Sequence, residues 1–215
     1  MEFNIEDYLN SLPLDTTEIN VSSKGLTYLP DLSRFKELTE LDCSENQLTE
    51  LPHLNDNLIQ LDCSGNRLSE LPPLNNNLKF LYCSENQLTE LPPLNDNLIY
   101  LICSYNLLTW LQPLNDNLTH LYCSFNQLTE LPPLNNKLTV LYCHHNQLTW
   151  LPPLNNKLVH IFCYNNNIFN NHIKFSYGNK NIIKTIGYNT RPAYSRSPQF
   201  AAQQRTFPAS NFPCP

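Results

Sequence analysis

Cys143, His144 and His145 set a nucleophile beside two bases, the residue types from which a thiolate–imidazole pair is made. Such a pair needs its two side chains within hydrogen-bond reach. On an extended strand successive side chains leave by opposite faces, so Cys143 and His144 are expected to be parted. His120, His144, His145 and His160 are all expected on one exposed side, where a zinc ion would need at least three converging ligands. Glycine stands only at 25, 65, 178 and 187, so there is no glycine-rich loop to cradle a phosphate. The expectation is a non-catalytic protein with no metal and no cofactor.

The cysteines belong to a longer pattern. They stand at 43, 63, 83, 103, 123, 143 and 163, each 20 residues after the last. The surrounding motif repeats with them: Leu41-Asp42-Cys43-Ser44-Glu45-Asn46-Gln47-Leu48 returns as Leu81-Tyr82-Cys83-Ser84-Glu85-Asn86-Gln87-Leu88. A fixed period of this length means stacked copies of one short unit. Leu41 and Cys43 alternate with Glu40, Asp42 and Ser44, as in a strand with one buried face. The Pro72-Pro73 pair excludes a helix interior and favours an extended return leg. Asn46 and its equivalents at 66, 86, 106, 126, 146 and 166 stand where the chain leaves the strand, able to satisfy backbone groups at the turn.

The unit L-x-x-L-x-C-x-x-N-x-L-x-x-L-P-P-L-N-x-N resembles a leucine-rich repeat over roughly Thr16 to Phe169. It is most similar to the short repeats of secreted bacterial effectors and to arrays in giant DNA viruses. The resemblance implies a curved parallel sheet, one strand per coil, with an extended convex side. It also implies a protein-binding surface and work in a host cytoplasm. The ligase effectors that share this repeat carry a large helical catalytic domain after it. Only about 46 residues follow Phe169, so that activity is not carried over.

The expected organisation is a helical cap over 1–15, eight coils over 16–169, a closing segment over 170–188 and a flexible tail over 189–215. Asn4 is placed to cap a short helix ending before Pro13. In the first coil Lys24 replaces the Asn, and Val21 precedes Cys43 by 22 residues, marking an atypical terminal repeat. In-register cysteines on parallel strands hold their Cβ atoms about 4.8 Å apart, against about 3.8 Å in a disulfide. Reduced, buried thiols and a cytoplasmic setting are therefore expected, and separately a monomer. The start Met1-Glu2-Phe3-Asn4 lacks the basic and apolar regions of a signal peptide, and no apolar run approaches a membrane span.

Charge is uneven along the chain. All 19 acidic residues lie before Leu131, accompanied by five Lys or Arg, whereas eight Lys or Arg and no acid follow. The sheet's outward rows change in parallel. They begin with Glu40, Asp42 and Asp62 and turn aromatic from Phe80 onward. The candidate partner-binding residues are Phe80, Tyr82, Tyr100, Ile102, Tyr105, Tyr122, Phe125, Tyr142, His144, Phe162 and Tyr164. Stacked aromatics also stabilise a sheet by about 0.2–1 kcal/mol per pair without any partner. A contiguous apolar face is nonetheless unusual on a soluble monomer. Leu107, Trp110 and Trp150 offer a second, smaller contact at the start of the return leg. The favoured function is recognition of a protein by the concave face. The alternatives are a nucleic-acid-associated or virion-structural role led by the basic C-terminal part, and self-association.

Overall fold

The computed structural model describes residues 3–168 and 183–185, the latter as backbone. Helix α1 (Ile5–Ser11) opens the chain. Asn4 caps it by accepting hydrogen bonds from the Glu6 and Asp7 amides, and Ile5 and Leu9 are buried beneath it. Among the described residues nine three-residue strands follow in parallel, their spatial order the same as their order in sequence. They are β1 (Glu18–Asn20), β2 (Glu40–Asp42), β3 (Gln60–Asp62), β4 (Phe80–Tyr82), β5 (Tyr100–Ile102), β6 (His120–Tyr122), β7 (Val140–Tyr142), β8 (His160–Phe162) and β9 (Ile183–Thr185). Like positions pair across strands, so Leu41, Leu61, Leu81, Leu101, Leu121, Leu141 and Ile161 form one column. Among the described residues no helix or strand lies on the return legs; each is extended around a single turn.

The core is a stack of identical layers. The column residues, the cysteines and the leucines of the return leg form one buried cluster that runs from Ile5 to Cys163. No coil could bury these residues alone, and each is covered by its neighbours. Strand β9 lies within the segment expected to close the far end. The rest of that segment and the tail fall outside the described residues, as do Ile173, Phe175, Ile182 and Ile186.

Two columns of asparagine tie coil to coil. Asn106 shows the first: its Nδ2 donates to Cys83 O at 2.9 Å and Cys103 O at 3.1 Å, and its Oδ1 accepts from the Leu88 amide at 3.0 Å. The buried amide thus serves its own turn and the preceding coil at once. The second runs along the return legs, where Asn95 Nδ2 donates to Asn75 O at 2.7 Å and Leu78 O at 3.1 Å. The abundance of Asn in this chain therefore has a structural use. A one-layer coil buries turn carbonyls that no regular ladder reaches, and the amide side chain fills that gap.

Candidate functional site

On the core side of the sheet the described cysteines are shielded from solvent. All seven array cysteines are free and buried. Burial pushes the Cys103 thiol up to about 12 and the Cys163 thiol up to about 11, so both remain protonated near neutrality. Cys143 lies in the core, whereas His144 stacks on Tyr164 at 4.5 Å and meets His145 Nδ1 through its own Nδ1 at 2.8 Å. Cys143 and His144 are parted, as the alternation requires. Among the described residues no three His, Cys, Asp or Glu converge as a metal site would need. Among the described residues no helix is long and apolar enough to cross a membrane.

The concave face is built from two kinds of position. Strand residues 40 and 42 and their equivalents stand outward because Leu41 and its equivalents point in. Past the strand the alternation stops. Glu45, Glu85, Tyr105, Phe125, His145 and Asn165 take left-handed φ values of 52–56°, and Gly65 takes the same turn at 65°. A Cβ carried by Gly65 would run into the Glu45 carboxylate, which lies over it. In the later coils rings cover this turn instead. Tyr105 stacks on Phe125 at 4.1 Å, and Phe125 on His145 at 4.0 Å. These offset stacks offset part of the strain that a left-handed non-glycine residue carries.

At the N-terminal end the face is acidic. Glu18 pairs in register with Glu40, and Asp42 with Asp62. Burial raises the Glu40 carboxyl, with the Glu18 charge adding to it. Burial likewise raises Asp62, with Asp42 and Glu45 adding, against the Ser64 hydrogen bonds that lower it. Like charges directly opposite one another oppose folding.

From β4 onward the face is apolar. Ile102, Tyr122 and Val140 form a second hydrophobic cluster on the side away from the core, flanked by Tyr82 and Tyr142. Its rings meet at 4.7 Å between Tyr122 and Tyr142 and at 4.4 Å between Tyr142 and Phe162. A parallel column runs from Phe80 to Tyr100 at 5.5 Å and on to a Tyr100–His120 stack at 4.0 Å. His120 is held by Thr119 Oγ1 at 2.8 Å and the Tyr100 hydroxyl at 3.3 Å. Burial, with His160 adding, lowers His120 to about 4. Burial also raises Tyr82 to about 12, with the Asp62 charge adding.

The sequence places all eleven candidate residues on this face, but three of them are not open to solvent. Ile102 and His144 are 6% exposed and Tyr122 is 7% exposed. His144, expected on the exposed side, is instead covered by the Tyr164 and Phe125 rings and the His145 imidazole. The alternation shows which face a side chain leaves by, and takes no account of a large ring one strand away. Tyr105, at 41% exposure, is the most open of the eleven, and the others lie partly open around the covered three.

The structure also shows residues that the alternation did not single out. Val140 belongs to the apolar cluster. Beneath the rings, Ser84, Ser104 and Ser124 are buried with hydroxyls that have no hydrogen-bond partner. In the earlier coils an Asp two residues before the Ser serves this hydroxyl or its amide. That Asp has become Tyr82, Ile102 and Tyr122, and the change is visible in the sequence. Away from the sheet, Leu107, Trp110 and Trp150 stand exposed, and Gln112 Nε2 donates to Leu91 O, replacing a proline of the other coils.

Residues 56–96 and 116–156 match the family described as Leucine Rich repeats (2 copies). No curated protein matches the sequence. Among solved structures, the chain is 33% identical to the leucine-rich repeat domain of a Shigella effector, with a TM-score of 0.67 over 78% of this chain and 76% of that one. It is 34% identical to the Yersinia pestis effector YopM (TM-score 0.66, 75% of this chain and 46% of that one). To Yersinia enterocolitica YopM it is 33% identical, with a TM-score of 0.60 over 73% of this chain. The chain thus spans less than half the length of either YopM, 39% and 46%. A shared period, a shared parallel sheet and this level of identity over most of the Shigella domain agree with the repeat match, and the chain belongs to the leucine-rich repeat family.

Proposed function

We propose that this protein recognises a partner protein through its concave face, with Tyr82, Tyr100, Tyr105, Phe125, Tyr142 and Phe162 as the contacting rings around the covered centre of Ile102, Tyr122 and Val140. The observation that carries this reading is the second apolar cluster. Among the described residues its members pack only against others of the same sheet face. A one-layer array has no structural need of a second core, and contiguous apolar surface of this kind commonly marks an interaction site. Tyr and Phe suit that use, since rigid rings dominate interface energetics.

The orphaned hydroxyls favour the same reading. With Tyr or Ile in place of Asp at 82, 102 and 122, Ser84, Ser104 and Ser124 are buried without a partner, a cost to folding. A requirement other than the repeat's own stability explains why rings stand there. The likeness to bacterial effectors supports a site of action inside a host cell.

Affinity capture from a cell lysate tests the proposal, comparing the natural chain with a Tyr82→Ser, Tyr105→Ser, Phe125→Ser variant of unchanged circular dichroism. A protein retained by the first and lost from the second is the expected result. Equal retention by both would return the rings to a packing role. Retention of nucleic acid, lost with salt, would favour the basic C-terminal part instead.

A further inference from the structure

We infer that Trp110, Glu130 and Trp150 form a clamp for a trimethylated lysine side chain of another protein. The clamp stands at the start of the return legs, apart from the concave face.

Register builds the site. Each of the three residues lies between two buried leucines of its own coil: Leu108 and Leu111, Leu128 and Leu131, Leu148 and Leu151. Side chains held in that same way leave their coils in the same direction. The coils are also bonded to one another just before the row. There the Gln127 amide donates to Leu108 O at 2.8 Å, and the Gln147 amide to Leu128 O at 2.9 Å. Backbones joined by such bonds run about 4.8 Å apart. The two indoles therefore stand on alternate coils, two intervals or about 10 Å from one another, with Glu130 between them. Glutamate is the shorter side chain, so its carboxylate makes the floor and the rings make the walls.

The row's composition departs from the repeat at this place. Glu50, Glu70, Glu90 and Glu130 hold the position in other coils, all of them exposed. Trp110 and Trp150 are the chain's two tryptophans, and both fall in this row. They are 46% and 40% exposed, so neither serves the core. Among the described residues the cations that lie over rings are Lys24 on Phe3 and Arg34 on Phe35, which leaves both indole faces without one.

The spacing selects the ligand. A cation midway between the walls lies about 5 Å from each, inside the reach of about 6 Å over which a ring face attracts a cation, and tryptophan attracts most strongly. A planar guanidinium packs at about 3.5–4.0 Å from one ring and leaves the other out of contact. A trimethylammonium group presents methyls on every side and meets both walls. An unmethylated ammonium is strongly hydrated and gives up that hydration on entering, whereas the methylated one has no N–H to desolvate. Glu130 supplies the opposite charge. A choline head group carries the same cation, but with a phosphate that Glu90 would repel from the coil beside Trp110, bonded to it through the Leu107 amide and Leu88 O at 2.9 Å. A lysine side chain brings no anion, which favours it.

The full chain supplies its own probe, because both tryptophans lie in the clamp and indole emission reports from it alone. The chain is titrated with N-acetyl-trimethyllysine N-methylamide. The expected result is a saturable change in emission with a dissociation constant on the order of 1 mM. The amide of unmethylated lysine should bind at least fivefold more weakly. Glu130→Gln should weaken binding of the trimethylated amide at least threefold. Trp110→Glu should weaken it at least tenfold. The latter restores the residue that Glu90 supplies one coil earlier, so the fold should survive, as circular dichroism checks. A response that never saturates, equal affinity for the two amides, or undiminished binding in either variant would overturn the proposal. Phosphatidylcholine vesicles that change the emission at lower concentration than the amide would overturn it in favour of a lipid head group. Neither variant touches the concave face, so loss of this site and loss of partner recognition there are separate results.

Discussion

The Ser44 hydroxyl donates to Asp42 Oδ1 at 2.6 Å, within one turn of the second coil. Three coils later Ile102 stands in place of that Asp, and Ser104 keeps a buried hydroxyl with no partner. Deleting a satisfied hydroxyl removes a hydrogen bond, whereas deleting an orphaned one removes a desolvation penalty. Ser44→Ala should therefore lower stability by about 1 kcal/mol, while Ser104→Ala should leave it unchanged or raise it. Equal losses in urea denaturation would show that the Ser104 hydroxyl has a partner.

The asparagine columns predict a graded response. Asn106 is buried and makes hydrogen bonds to three carbonyls and one amide, spread over its own coil and the preceding one. Asn106→Ala leaves the Leu88 amide without a partner, while Cys83 O and Cys103 O each keep a hydrogen bond, from Asn86 and Asn126 respectively, and should cost about 2 kcal/mol. Asn97, which donates to Asn76 O at 2.8 Å from an exposed site, should cost about 1 kcal/mol or less on the same change. Thermal melts of the two variants compare them directly.

The period made the fold legible. Leu41, Cys43 and their equivalents specified strands, and the register followed because every coil has the same length. Asn4 marked the first helix for the same reason, a local rule with a local cause. Two things were harder to read. The bend of Tyr105, Phe125 and His145 into left-handed turns is set by the strained loop after each strand, and only the glycine at the equivalent position 65 hints at it. The burial of Ile102, Tyr122 and His144 arises between coils, from rings 20 residues away in sequence, so a pattern read within one unit shows the face and misses the cover.

Acidification should weaken the array through its histidines. Burial, with His145 adding, holds His144 down to about 3 from an ordinary 6.5, so the unfolded chain takes up a proton that the folded chain refuses. The stability of the neutral form is therefore fully present above pH 6.5 and is lost as pH falls toward 3. By pH 5 the loss through this residue reaches at most about 2 kcal/mol. His144→Phe should flatten the fall between pH 6.5 and 5, although the raised carboxyls Glu40 and Asp62 work in the opposite direction near their own titrations. An unchanged slope in the variant would mean that His144 is protonated in the fold.

The cysteine column predicts selective reactivity. Burial keeps the seven array thiols protonated and out of reach. At neutral pH iodoacetamide should modify no array cysteine in the folded protein and all seven in denaturant, as read by mass spectrometry of the digested chain. Modification of Cys103 without denaturant would contradict a closed core.

The most direct test of the concave face as the recognition surface places a photo-reactive phenylalanine analogue at Tyr105 and, in a second chain, at Trp150, which is exposed away from the sheet. Both are irradiated in the same lysate. The account predicts one protein cross-linked from position 105 and absent from position 150. The same adducts from both positions, or an adduct from 150 alone, would contradict it.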